Sequence, residues 1–420
     1  MRADRVYAYG ATLGFLGDLL AGDPRRGHPV AAFGRAAGAL ERRMWRNDRL
    51  SGAAYAVLCA GTAAGAAALA GRAVRPCAPL RAALTAACTW SVLGGTSLAR
   101  EARAVAAALE AGDIEAARAR LPHLCGRDPE HLDAGQIARA VVESVAENTS
   151  DAVVGALVWG AAFGLPGLAG FRAVNTLDAM VGHRSPRHLR FGWAAARLDD
   201  AAGWPGARLT AALAAAASAH PLDALRTWRQ DAAAHPSPNA GPVEAAFAGG
   251  LHLRLGGTLS YAGRTEHRPL LGAHFPPPTA ADIPRAVALS RRVCAMSLAL
   301  SVIPALLPRR RDDRPASQAD RHRRSALPSF PPRRRKRTPL PQPPEPAGDA
   351  FFPPQRRDAP RRGPAVANPP QTPAGAAPQT ADHRSTLLPP QRRDAPRRGP
   401  AVAERAQPAF RTRREAPCAD

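Results

Sequence analysis

Long charge-free stretches alternate along this chain with short strings dense in polar side chains. Residues 51–71, 82–99, 152–171 and 293–308 carry no charge, and 204–222 carries only Arg208. A bilayer span takes about 20 mainly apolar residues. The five runs therefore predict apolar helices, and the first two best meet the length of a span. One reading is a soluble bundle of Ala-rich buried helices. The number of such runs favours the other, an all-α, multi-pass transmembrane protein. Gly164, Pro166, Gly167 and Gly170 weaken the second half of 152–171 as a helix. A protein-buried hairpin is the alternative to a crossing there.

The polar segments predict helices of their own. In 100–124 an Ala-rich helix, a Gly112–Asp113 turn and a second helix follow one another. Asp133 with Gln136 three residues on is a capping-box pattern, so a helix starts near Ala134. Its apolar stripe is Ile137, Val141 and Val145, and its polar stripe Arg139, Glu143 and Glu147. The string 237–241 is a turn by composition. The paired glycines at 249–250 and 256–257 can present backbone amides to an anion.

Charge divides the chain of 420 residues in two. Residues 309–420 hold 25 of the 57 Lys+Arg, 11 of the 34 Asp+Glu and 23 of the 43 Pro. Pro and Arg at that density cannot bury a core, so a disordered tail follows a domain at 1–308. The tail repeats PPQRRDAPRRGPAVA unchanged at 353–367 and 389–403, and carries RRRKR at 333–337. With so much of the basicity in the tail, the overall pI is no argument for nucleic-acid binding. Seven arginines between Arg25 and Arg49 place the N-terminal segment in the cytoplasm by the positive-inside rule. Asp18 interrupts the first apolar stretch and no small-residue cleavage site follows, so no secretory signal is expected.

Single residue types exclude further classes. The only lysine, Lys336, lies in the tail. A P-loop and a pyridoxal-phosphate enzyme each need a lysine in the folded part, so neither is expected. Six cysteines without a C-x-x-C pair read as neither a zinc nor a disulfide framework.

Candidate chemistry sits in the polar strings. Glu143, Ser144, Glu147, Asn148 and Asp151 put five oxygen-bearing side chains within nine residues, which suits Mg²⁺ or a Mg-nucleotide. The alternative is an ordinary solvated helix face. Downstream, Asn175 and Asp178 share a helix face, and Arg172, Arg184, Arg187 and Arg190 offer planar forks for phosphate or carboxylate. His183 and His188 read as structural imidazoles. Asp199–Asp200 is a second candidate metal pair, with Arg197 and Arg208 nearby. Asp18, Asp23 and His28 form a third polar cluster without an evident role.

Six strings occur together in order: GDPRRGHPVAAFG (22–34), VESVAENTSD (142–151), FRAVNTLDAMVGHR (171–184), ARLDD (196–200), PSPNAG (236–241) and AGGLHLRLGG with a following Tyr (248–261). With the intervening apolar runs they resemble the CobD/CbiB family, the adenosylcobinamide-phosphate synthases of cobalamin biosynthesis, over about residues 5–308. The resemblance implies a multi-pass protein of the bacterial inner membrane. Its reaction would be ATP-dependent amide formation between (R)-1-amino-2-propanol, or its O-phosphate, and a propionate of adenosylcobyric acid. ATP and Mg²⁺ would serve, with no pyridoxal phosphate. Glu143, Glu147, Asp151, Asp199 and Asp200 would be the catalytic carboxylates, with Glu143, Asp151, Asp199 and Asp200 as metal ligands. Asn148, Asn175, Asp178, Arg184, Arg208 and Asn239 would bind substrate. The implied partners are the corrinoid and amine substrates, the bilayer and other membrane proteins of the pathway, with no nucleic acid. A transporter or scaffold for cobamide intermediates is the non-catalytic alternative.

Overall fold

A computed structural model describes residues 3–23, 27–261 and 264–306. The tail at 309–420, with its duplicated segment, and the end of the run 293–308 lie outside these described residues. Among them the chain is mostly helical, with thirteen α-helices and one β-hairpin. Three stretches are long and apolar enough to cross a membrane: Arg49–Ala73, Ala78–Glu110 and Asp282–Ile303.

The first half opens with α1 (Ala3–Ala21), α2 (Pro29–Met44) and α3 (Arg49–Ala73). The side chain of Asp48 caps α3 by accepting the Ser51 N–H at 2.8 Å. Protein covers only 17% of the apolar α3 window, and Val57, Leu58 and Leu69 stand exposed. A long apolar face left bare suits lipid better than water. Next come α4 (Ala78–Val92), which packs along α1, and α5 (Gly95–Glu110). After the Gly112–Asp113 turn, Asp113 caps α6 (Ile114–Arg120).

α7 (Ala134–Thr149) begins where the sequence places it, with Asp133 and Gln136 closing a capping box. It does not end at a loop. A π-helical turn, Ser150–Val154, carries it into α8 (Gly155–Phe163). Gly164, at φ +66°, reverses the chain into α9 (Leu165–Leu177), and a second π turn, Asp178–Gly182, follows. The run 152–171 is therefore a helical hairpin and not one crossing helix.

α10 (Trp193–Ala217) contains most of the run 204–222, which ends past its C-terminus. That half of α10 is internal: Gly206, Ala207, Thr210, Ala211 and Ala214 are all buried. α11 (Pro221–Asp231) and α12 (Ala240–Leu251) pack on each other, and α12 also packs on α10. The chain closes with α13 (Asp282–Leu306), which contacts α1, α5, α7 and α10. The main core lies where α5, α7, α10, α12 and α13 meet.

An all-α expectation is corrected at one place. β1 (Leu255–Tyr261) pairs antiparallel with β2 (Arg264–Leu271), with a bulge between Leu255 and Gly257. Gly256 and Gly257 take φ +79° and +89°, so the paired glycines serve the bulge. Leu255 and Leu271 anchor the base of the hairpin in the main core.

Candidate functional site

The π turns place the first two carboxylates. A π turn inserts an extra residue and swings the following side chains off the helical stripe. Asp151 sits on the turn after α7 and Asp178 on the turn after α9. α10 contributes Asp199 and Asp200 from a close crossing with α8. A Cβ on Gly206 would meet the Gly155 Cα at 2.9 Å, so this approach requires glycine at 206.

These residues and Glu147 line one polar cleft of about 440 Å³. Arg184, Asn239 and Arg268 line it too, with His183, His235 and Ser237. Strings separated by up to 92 positions, from Glu147 to Asn239, thus share one wall. The loop carrying His183 and Arg184 is pinned to α2. His188 contacts Glu41 at 3.1 Å, Arg187 bonds the same carboxylate at 3.1 Å, and Trp45 donates to the Arg187 carbonyl at 3.1 Å.

Asn239 ties α10 to the start of α12. Its Nδ2 donates to the Asp200 carbonyl at 3.0 Å, and its Oδ1 accepts from Arg208 at 3.0 Å. The Arg208 guanidinium lies 4.7 Å over the Trp204 ring. Arg208 is therefore outside the cleft and holds Asn239. Asn175 is also outside: it donates to Asp151 Oδ2 and accepts from Arg172, both at 3.4 Å. Asn148 turns back on its own helix and donates to the Ser144 carbonyl at 2.9 Å.

Glu143 stands apart from the cleft. It is buried against Arg127, and its other oxygen accepts the Gly256 N–H at 2.7 Å. Both carboxylate oxygens are engaged by the protein, and Glu143 does not line the cleft. A buried ion pair with a backbone donor fixes the hairpin base to α7. The anion that the Gly256 amide serves is this glutamate. The cluster of Asp18, Asp23 and His28 is local too. Asp18 accepts the Thr96 N–H at the start of α5, Asp23 donates its N–H to Ser97, and His28 caps α2.

The electrostatics of the cleft follow from crowding. Burial, then Asp199, Glu147 and Asp178, raise the Asp151 carboxyl well above the ordinary range, against the pull of Arg172. Asp199 is pushed up to about 7, first by burial and then by Asp178. Asp178 is pushed up to about 6 by burial and then by Asp200 and Glu147. The Oδ1 of Asp199 is buried without a hydrogen-bond partner. Clustered carboxylates with an orphaned oxygen form an all-oxygen donor set, which suits a hard divalent cation such as Mg²⁺. Glu147, Asp151, Asp178, Asp199 and Asp200 supply such donors along the cleft wall, although among the described residues no three of them bring ligand atoms within 4.8 Å of one another. Arg184 and Arg268 add cationic forks for an anionic ligand.

Four lining residues had no signal or a misleading one. Arg268 sits on β2, in a segment without a motif. His183 reads as structural by sequence yet faces the cleft. Ser150 lies beside Asp151 within a string already singled out. His235 precedes the turn 237–241 by two positions. Its Nδ1 accepts the Ser237 N–H at 3.1 Å, and its Nε2 lies 3.7 Å from the buried Glu244.

The profile of the CobD/Cbib protein family matches residues 11–290. A cobalamin biosynthesis protein CobD of Mycobacterium tuberculosis is 52% identical over 308 residues, covering 72% of this chain and 97% of the relative. That of Rhodobacter capsulatus is 42% identical over 287 residues, covering 67% and 91%. That of Chromobacterium violaceum is 42% identical over 300 residues, covering 69% and 94%. No solved structure matches the chain.

Proposed function

Since the chain belongs to the CobD/CbiB family of cobalamin biosynthesis, we propose that it is a membrane-embedded adenosylcobinamide-phosphate synthase, an ATP-dependent acid–amine ligase. The observation that carries the reading is the convergence of five carboxylates and two arginines in one cleft.

The chemistry requires such a set. A propionate is a poor electrophile until its oxygen is phosphorylated or adenylated by ATP. The amine then attacks the acyl carbon: a C–N bond forms, the C–O bond breaks, and phosphate or AMP leaves. Mg²⁺ held by Glu147, Asp151, Asp199 and Asp200 would neutralise the triphosphate. Arg184 and Arg268 grip phosphate or propionate oxygens. Asp178 and Asn239 orient the amine. A carboxylate of the cleft takes the proton that the ammonium loses before attack. A cleft of about 440 Å³ accommodates aminopropanol phosphate and one propionate arm. A corrin ring is larger and rests at the mouth.

In this reading the three apolar stretches cross the bacterial inner membrane, supported by their length and the bare face of α3. The test is reconstitution. Purified protein in detergent receives adenosylcobyric acid, ATP, Mg²⁺ and either (R)-1-amino-2-propanol or its O-phosphate, and products are read by mass spectrometry. The expected product is the corresponding cobinamide amide, with ATP consumed in step. Substrate binding without turnover would make the protein a carrier and overturn the ligase reading.

A further inference from the structure

The string 248–261 contains a histidine that the cleft does not use. His252 ends α12 in the left-handed region, at φ 56° and ψ 53°. It is the one non-glycine residue at positive φ among the described residues. Glycine or asparagine ordinarily fills such a helix end, because a Cβ there costs about 1–2 kcal/mol. The backbone therefore does not account for histidine at this position.

The imidazole does. Its Nε2 lies 2.9 Å from Asp223 Oδ2. Its ring stacks on His220, with centroids 3.6 Å apart and 19° between planes. One ligand atom from each of His220, Asp223 and His252 falls within 4.8 Å of the others. Three separate features assemble them. His220 is the N-cap of α11, Asp223 stands in its first turn, and α11 packs on α12 so closely that a Cβ on Gly249 would meet Thr227 Oγ1 at 2.6 Å. Arg226 holds the other Asp223 oxygen at 3.1 Å and leaves Oδ2 directed at the histidines. Phe275 covers the far face of the His252 ring at 4.5 Å. All three residues are half-buried, so an ion can reach them from solvent.

We propose that His220, Asp223 and His252 form a binding site for a divalent transition metal, separate from the carboxylate cleft. Two imidazoles and one carboxylate are a Zn²⁺-type ligand set with a fourth position open, and they favour Zn²⁺, Co²⁺ or Ni²⁺ over Mg²⁺. The twelve residues of α12 put about 18 Å between this site and Asn239 at the cleft. The ion clamps the start of α11 to the end of α12, and so steadies the helix that carries Asn239. The proposal does not depend on the ligase reading.

The experiment uses untagged full-length protein in detergent, stripped with EDTA and dialysed, then titrated with ZnCl₂ by calorimetry. Co²⁺ absorption reports the ligand field in parallel. With the cleft saturated by excess Mg²⁺, the expected result is a Zn²⁺ site at His220, Asp223 and His252 that is unaffected by Asp199→Asn in the cleft. His220→Gln and His252→Asn should each weaken binding by about 100-fold or more, beyond what loss of an orienting neighbour causes. Asparagine tolerates the left-handed backbone, so His252→Asn keeps the helix end, and circular dichroism checks the fold. Absence of saturable Zn²⁺ binding overturns the proposal. So does undiminished binding in both histidine variants, or loss of binding in Asp199→Asn alone.

Discussion

Replacing Asp199 with Asn separates what the cleft costs from what it does. Burial and Asp178 hold the Asp199 carboxyl at about 7, against 3.8 for the unperturbed group. At about 1.4 kcal/mol per pKa unit, ionising it in the folded, cation-free protein costs about 4 kcal/mol. The folded carboxyl holds its proton more tightly than the unfolded one. The penalty is therefore absent below pH 3.8, grows between 3.8 and about 7, and is complete above. In EDTA the wild-type protein should lose stability as pH rises from about 4 to about 7. The D199N variant, nearly isosteric and neutral, should be spared this part of the loss. It should unfold roughly 5–10 °C higher at about pH 8 and close to wild type near pH 4. Mg²⁺ should raise the melting temperature of wild type far more than that of the variant, which should also fail to form the amide. The assay is thermal unfolding across pH in detergent, with and without Mg²⁺, beside turnover. A variant that melts at or below wild type throughout would refute the account of a strained carboxylate cluster. Full turnover by the variant would remove Asp199 from the chemistry.

Glu143 and Glu147 share a helix stripe but should separate cleanly. Glu143→Gln leaves Arg127 buried without its anion and should cost about 3–5 kcal/mol in thermal unfolding, whereas Glu147→Gln should keep stability and lose turnover; the reverse pattern would contradict this division of roles. A Cβ on Gly182 would overlap the Asp178 carboxylate, so Gly182→Ala should cut turnover with little change in melting temperature, and unchanged kinetics would show that Asp178 is not needed where it stands. Truncation after residue 308 should keep amide formation, because the Mycobacterium tuberculosis relative is covered to 97% by an alignment of 308 residues; loss of activity in a folded truncation would give the tail a role in the reaction.

Local rules were legible in the residues themselves. The capping box at Asp133 and Gln136 set the start of α7, and the Gly112–Asp113 turn separated α5 from α6. Both are decided within one helical turn by backbone groups that need partners. The acidic strings singled out Glu147, Asp151, Asp178, Asp199 and Asp200 without any contact information, and all five line one cleft. The hairpin was not legible. Its strands hold to the protein through the Gly256 amide on Glu143 and through Leu255 and Leu271 in the core, and none of these leaves a local pattern.

What the sequence decided alone is short-range: where helices begin, which runs lack charge, and which residues carry charge at unusual density. Whether a given carboxylate reaches the cleft depended on packing. Glu143 and Glu147 lie four residues apart on one stripe, yet one is locked by Arg127 and the other is open to solvent. Asp151 and Asp178 reach the cleft because each stands on a π turn, and Asp199 because Gly206 and Gly155 let two helices touch. Such placements depend on partners distant in the chain, so only the assembled fold could settle them.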